Sequence, residues 1–170
     1  MSELASSKTG NDLKEAFAGE SQANRKYLGF AKQAESDGFP QVAKLFRAAG
    51  EAETVHALAH LRVMGGIRST AENLQEAVSG ETHEFKTMYP RMISDAEEEG
   101  HTKARRGFDY ANQVEKIHAG LFQRALDGLD EEGEAFDYYV CPVCGNTVER
   151  KPPDACPICG APGSRFIRVE

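Results

Sequence analysis

Glu53 and His56 in "EAETVHA" and Glu115 and His118 in "VEKIHAG" are two copies of Glu-x-x-His, 62 residues apart. In a helix this spacing puts an imidazole one turn beyond a carboxylate on the same face. The first copy lies on a stripe of Val42, Phe46, Ala49, Glu53, His56 and Val63, which predicts the core-facing side of an amphipathic helix. A bare carboxylate there costs several kcal/mol or neutralises itself, so something cationic should meet it. Two further acids, Glu20 and Glu81, each follow a glycine at an offset of 61. None of the four glutamates has Lys or Arg four residues away, and each has Ala at i−4 (Ala16, Ala49, Ala77, Ala111). Helical salt bridges are therefore unavailable and space is left beside each carboxylate. Four acids and two imidazoles balance two divalent ions, and this ligand mixture suits iron or manganese.

The elements that must carry these residues are long helices. Patterning and end signals predict one from about Thr9 to Asp37, capped by Asn11 or Asp12 and stopped at Gly38. A second follows Pro40 and ends at "MGG", a third runs from about Thr70 to Glu99 with a kink at Pro90, and a fourth from about His101 to Asp127. Gly38, Phe46, Glu53 and His56 recur as Gly100, Phe108, Glu115 and His118. A period near 60 is too long for solenoid units, so two helix pairs form an all-α four-helix bundle. One Glu from each of two helices and Glu-x-x-His from the others is the ligand pattern of dinuclear carboxylate bundles. Glu84, one turn after Glu81, breaks the repeat, because its counterpart is Ala23. A fifth carboxylate suits two ferric ions better than two ferrous ones, so Glu84 is expected to bind mainly in the oxidised state. Tyr27, seven residues after Glu20, shares that face and could bring a hydroxyl to the site. His60 reads as a packed or supporting histidine, and "EEE" at 97–99 as a solvated helix end.

All four cysteines lie in "YVCPVCGNTVERKPPDACPICGAP" as two C-x-x-C-G knuckles, at Cys141, Cys144, Cys156 and Cys159. Such knuckles aim thiolates at one metal, and the spacing alone admits structural zinc or redox-active iron. The start of the chain shows no secretory signal, so a disulfide framework is not expected and the chain reads as cytoplasmic. A net charge of −7 without a basic stripe argues against nucleic acid, and no apolar run approaches a membrane span. The expected organisation is a helical body over 1–130, an acidic linker over 131–137 and a metal-binding tail over 138–170.

"FAGESQANRKY", "EAETVHA", "SGETHEFKTMYP" and "VEKIHAGLF", followed by the cysteine tail, resemble the rubrerythrin family along nearly the whole chain. The resemblance implies a ferritin-like bundle with iron ligands Glu20, Glu53, His56, Glu81, Glu84, Glu115 and His118, joined to a small rubredoxin-like β/knuckle domain with an Fe(SCys)₄ centre. It implies an oxo- or hydroxo-bridged pair of irons, reduction of hydrogen peroxide to water, and an iron that moves between His56 and Glu84 with redox state. It further implies an external electron donor, a rubredoxin or an NAD(P)H-dependent reductase. Homodimers in which one chain's tail lies near the other's bundle are also implied. Two departures stand out: Asn146 where an aromatic is usual after the first knuckle, which keeps zinc open, and Phe85 where some members carry a tyrosine. Tyr139 keeps the usual aromatic two residues before Cys141. Rival readings are a ferroxidase or iron-storage protein with a structural zinc-ribbon tail, and a zinc-ribbon interaction module on a structural bundle.

Overall fold

The computed structural model describes residues 3–131 and 133–170, so the expected linker falls partly outside the described residues at position 132. The chain divides into two compact units, 1–68 and 69–170. The body is helical throughout, and a small three-stranded sheet follows it.

The first unit is a hairpin of α1 (Lys8–Ser36) and α2 (Pro40–Val63) packed along their length. Ser7, not Asn11 or Asp12, caps α1: its backbone is extended and its hydroxyl accepts from the N–H of Gly10 at 3.0 Å. The helix ends before Gly38, as its sequence predicts, and Pro40 starts the next one from a position that needs no N–H. The buried residues of α2 are Ala43, Gly50 and Ala57. The buried stripe thus lies one residue from the predicted one, and Val42 and Val63 are exposed. Small residues win the contact because they let the backbones approach, and a polar anchor exploits that closeness. The buried amide of Asn24 donates to the carbonyl of Gly50 at 2.6 Å and to the hydroxyl of Thr54 at 2.8 Å.

In the second unit α3 (Thr70–His83) begins at a capping box made by Ser69 and Glu72. It passes through a π-helical turn, Glu84–Met88, into α4 (Tyr89–Glu98), and both helices pack on α5 (Thr102–Asp127). The irregularity expected at Pro90 therefore lies in the turn before it. Pro90 offers no N–H and its ring crowds the carbonyl of residue 86, which favours wider bonding there. The sequence repeat records the same event. Glu20 and Glu81 are offset by 61, whereas Tyr27 and Tyr89, and every later pair, are offset by 62. One extra residue enters between Glu81 and Tyr89, where the π turn absorbs it.

The tail forms an antiparallel sheet in the order β2-β1-β3, from β1 (Tyr138–Val140), β2 (Thr147–Glu149) and β3 (Ile167–Val169). Among the described residues no helix is long and apolar enough to cross a membrane.

Candidate metal centres

Three clusters of ligand-bearing side chains occur among the described residues: Glu20, Glu53 and His56 between α1 and α2; Glu81, Glu115 and His118 between α3 and α5; and the four cysteines. Within each, donor atoms lie within 4.8 Å of one another. The two triads repeat the same geometry. His56 Nδ1 is 3.0 Å from Glu53 and 3.8 Å from Glu20, and His118 Nδ1 is 2.8 Å from Glu115 and 3.7 Å from Glu81. Each imidazole thus turns one nitrogen onto the carboxylates, where a shared cation would replace the proton.

The acids respond to this crowding. A hydrogen bond from Glu20 to Glu53 raises the Glu20 carboxyl, helped by burial and by the charge on Glu53, while His56 and His60 pull it down. Glu53, which accepts that bond and one from His56, is lowered. In the second triad burial pushes Glu81 up to about 7, and Glu115 and then Glu84 add to the rise. Carboxyls that share protons when no cation is near are the donors that bind one well.

Glu84 stands at the start of the π turn, outside the triad but close enough for its charge to act on Glu81. Tyr27 packs against Phe30 and Phe46, and its hydroxyl makes no hydrogen bond to the first triad among the described residues. Tyr89 escaped sequence reasoning. Burial raises its phenol, and Glu115, Glu84 and Glu81 raise it further, which puts it beside the second triad. The 62-residue offset from Tyr27 was the signal that could have found it.

The two knuckles are copies of one turn. Cys141 N–H donates to the carbonyl of Asn146 and Gly145 N–H to that of Cys141; Cys156 and Gly160 do the same with Ala161 and Cys156. Gly145 and Gly160 have φ of +84° and +75°, a conformation that side chains resist. Cys141 and Cys159, and Cys144 and Cys156, have Sγ atoms 3.6 Å apart. Metal–sulfur bonds of about 2.3 Å arranged tetrahedrally put thiolates about 3.8 Å apart, so the cradle fits one metal ion. Burial raises Cys156, yet backbone N–H groups of Cys159 and Ile158 and the neighbouring thiols outweigh it and bring the thiol down to about 7. Asn146 is 1% exposed, and its side-chain N–H points at Cys156 Sγ at 3.7 Å. The residue that replaces the usual aromatic therefore donates toward a thiolate.

The first knuckle rests on α5 of its own chain. Arg124 pairs with Glu149 at 2.9 Å, and Gly145 lies against Val114. A cleft of about 440 Å³ opens between α3, α5 and the sheet, lined in part by Glu81, His118, Tyr138 and Thr147.

The sequence model of the family described as Rubrerythrin matches residues 11–126, and that described as Rubrerythrin, rubredoxin-like domain matches residues 139–167. The chain belongs to the rubrerythrin family. It is 36% identical to rubrerythrin-2 of Clostridium acetobutylicum, over 93% of this chain and 95% of that one. It is 34% identical to a rubrerythrin of Porphyromonas gingivalis, over 96% and 90%. Nigerythrin of Nitratidesulfovibrio vulgaris is 32% identical over 97% and 88%. A solved structure of nigerythrin in its fully reduced, all-ferrous state superposes with a TM-score of 0.59 at 32% identity, covering 94% of this chain and 85% of that one. Rubrerythrins are di-iron oxidoreductases with a rubredoxin-like domain, and this chain has both the carboxylate/His groups and the Cys₄ group that such iron sites use.

Proposed function

We propose that this rubrerythrin reduces hydrogen peroxide to water, taking electrons from an external donor through the Cys₄ centre of its tail, and serves in defence against oxidative stress. The observation that carries the reading is that one chain holds two Glu/Glu/His triads of the same geometry together with a tetrathiolate cradle. Storing iron would need no such one-electron relay.

The roles follow from the chemistry of the side chains. Glu20, Glu53 and His56 would hold one iron, Glu81, Glu115 and His118 would hold another, and Glu84 would add negative charge to offset that of ferric ions. When bound, iron supplies a Lewis acid and the electrons that, with two protons, convert hydrogen peroxide to two waters. Carboxylates offset the added positive charge, and Nδ1 of each histidine faces the metal position. Cys141, Cys144, Cys156 and Cys159 would hold the relay iron. The body over 1–130 does the chemistry and the tail over 138–170 passes electrons, in a cytoplasmic homodimer supplied by a rubredoxin or an NAD(P)H-dependent reductase.

Single-turnover and steady-state peroxide consumption of Cys144→Ser test the division of labour. The variant should lose the tail's visible charge-transfer band and steady-state turnover, while its chemically reduced body still consumes one hydrogen peroxide at the normal rate. Equal losses in both measurements would overturn the relay, and a colourless, zinc-filled tail in the native chain would favour the iron-handling alternative.

A further inference from the structure

His118 differs from a bare ligand in having both ring nitrogens engaged. Nδ1 faces Glu115 at 2.8 Å, and Nε2 lies 2.9 Å from Thr147 Oγ1, a residue of the tail. The Thr147 hydroxyl has one proton, and it points to the carbonyl of Gly145 at 3.2 Å. With its own proton on that carbonyl, Oγ1 is free to accept from the imidazole, so it gives the ring proton a place at Nε2 when a metal takes Nδ1. In the metal-free chain Nδ1 and Glu115 share a proton at 2.8 Å, and a metal that takes the place of that proton meets the Nδ1 lone pair on the side of the carboxylates. Thr147 and Glu149 share a face of β2, and the pairing of Glu149 with Arg124 presses that face onto α5. The contact therefore does not hang on one hydroxyl.

We propose that Thr147 is a positioning residue for the second triad: its hydroxyl holds His118 in the tautomer and ring orientation that present Nδ1 to a metal. The inference rests on the metal-binding reading of the triads given above. Ligand histidines commonly donate their second N–H to a carboxylate, carbonyl or water. Here the acceptor is a side chain borrowed from the domain that carries the cysteines, and Gly145, at the end of the hydrogen-bonded chain, directly follows Cys144. Occupancy of the second triad is thereby coupled to the docking of the first knuckle.

The test uses the full chain loaded with Zn²⁺ as a diamagnetic probe, with ¹⁵N-labelled histidine. In the native chain the Nε2 proton of His118 should be visible and slow to exchange with solvent. Thr147→Val should speed that exchange at least about tenfold and weaken Zn²⁺ at one body site about 10–100-fold, the usual cost of losing such a partner. The other body site and the Cys₄ site should be unaffected. Thr147→Ser should restore both readings, and Thr147→Ala should repeat the loss without a valine's bulk in the strand. Native-like exchange and affinity in both the valine and alanine variants would overturn the role of Thr147 alone, as would a serine variant that behaves like alanine. A native chain that takes up Zn²⁺ only at the cysteines would instead overturn the metal-binding reading beneath it.

Discussion

Tyr27 and Tyr89 make the same aromatic contact in the two helix pairs, Tyr27 with Phe46 at 6.0 Å between centroids and Tyr89 with Phe108 at 6.3 Å. They are nonetheless unequal. Tyr89 stands eight residues after Glu81 while Tyr27 stands seven after Glu20, and the π turn takes up the difference. The second tyrosine feels three carboxylates, Glu115, Glu84 and Glu81.

Tyr89→Phe should therefore slow peroxide turnover by about tenfold, a loss of about 1.4 kcal/mol of transition-state stabilisation. Tyr27→Phe should change it by less than about twofold, since its hydroxyl makes no bond to the first triad. Steady-state rates of the two variants at matched iron content check this. Equal effects would remove the asymmetry.

Glu84→Ala should keep three metals per chain and fold normally, because four glutamates already neutralise two divalent ions. Peroxide turnover should fall and the reduction potential of the body's irons should rise, since the oxidised state loses a compensating charge in a poorly screened site. Redox titration with elemental analysis reads both effects. Unchanged potential and turnover would make Glu84 a bystander.

The second triad should bind metal more weakly as pH falls. Burial and Glu115 raise Glu81 to about 7 in the metal-free chain, so a cation must displace its proton below that pH. Apparent affinity should drop about tenfold per pH unit below 7, from this group alone. Zn²⁺ titrations between pH 5.5 and 8 follow it, and a flat affinity would show that Glu81 is already ionised. In stability the sign is the reverse. The raised carboxyl favours the metal-free fold at low pH, and that contribution is lost as pH rises through 7.

Asn24→Leu removes an amide that bridges Gly50 and Thr54 one turn beyond Glu20, at 2.6 and 2.8 Å. The carbonyl and hydroxyl it leaves behind are partly buried, so unfolding free energy should fall by about 1–3 kcal/mol. Occupancy of the first triad should fall with it, because the register of α1 on α2 sets the separation of Glu20 and Glu53. Denaturant unfolding with iron analysis checks both, and lost stability with full occupancy would separate register from binding.

Asn146→Leu should lower the reduction potential of the Cys₄ iron, because an N–H directed at Cys156 Sγ stabilises the more negative, reduced state. Voltammetry of the tail centre in the full chain measures it. A potential equal to the native one would mean that the 3.7 Å approach carries no electrostatic weight.

Ligand types and spacing were legible in the chain itself. Glu53 with His56, Glu115 with His118 and the two C-x-x-C-G knuckles depend on local geometry, since a helical turn or a tight turn puts such residues on one side whatever else the chain does. The extra residue between Glu81 and Tyr89 was also written in the repeat, as an offset that changes from 61 to 62, though only the structure showed that a π turn takes it up. Packing alone decided the rest. The stripe of α2 shifted by one residue because Ala43, Gly50 and Ala57 allow a closer approach than Val42 or Val63. Thr147 meets His118 across 29 residues, and Asn24 meets Gly50 across 26. No local periodicity encodes such pairs: they arise where two surfaces exclude water and each buried polar atom takes whatever partner the fold brings within reach.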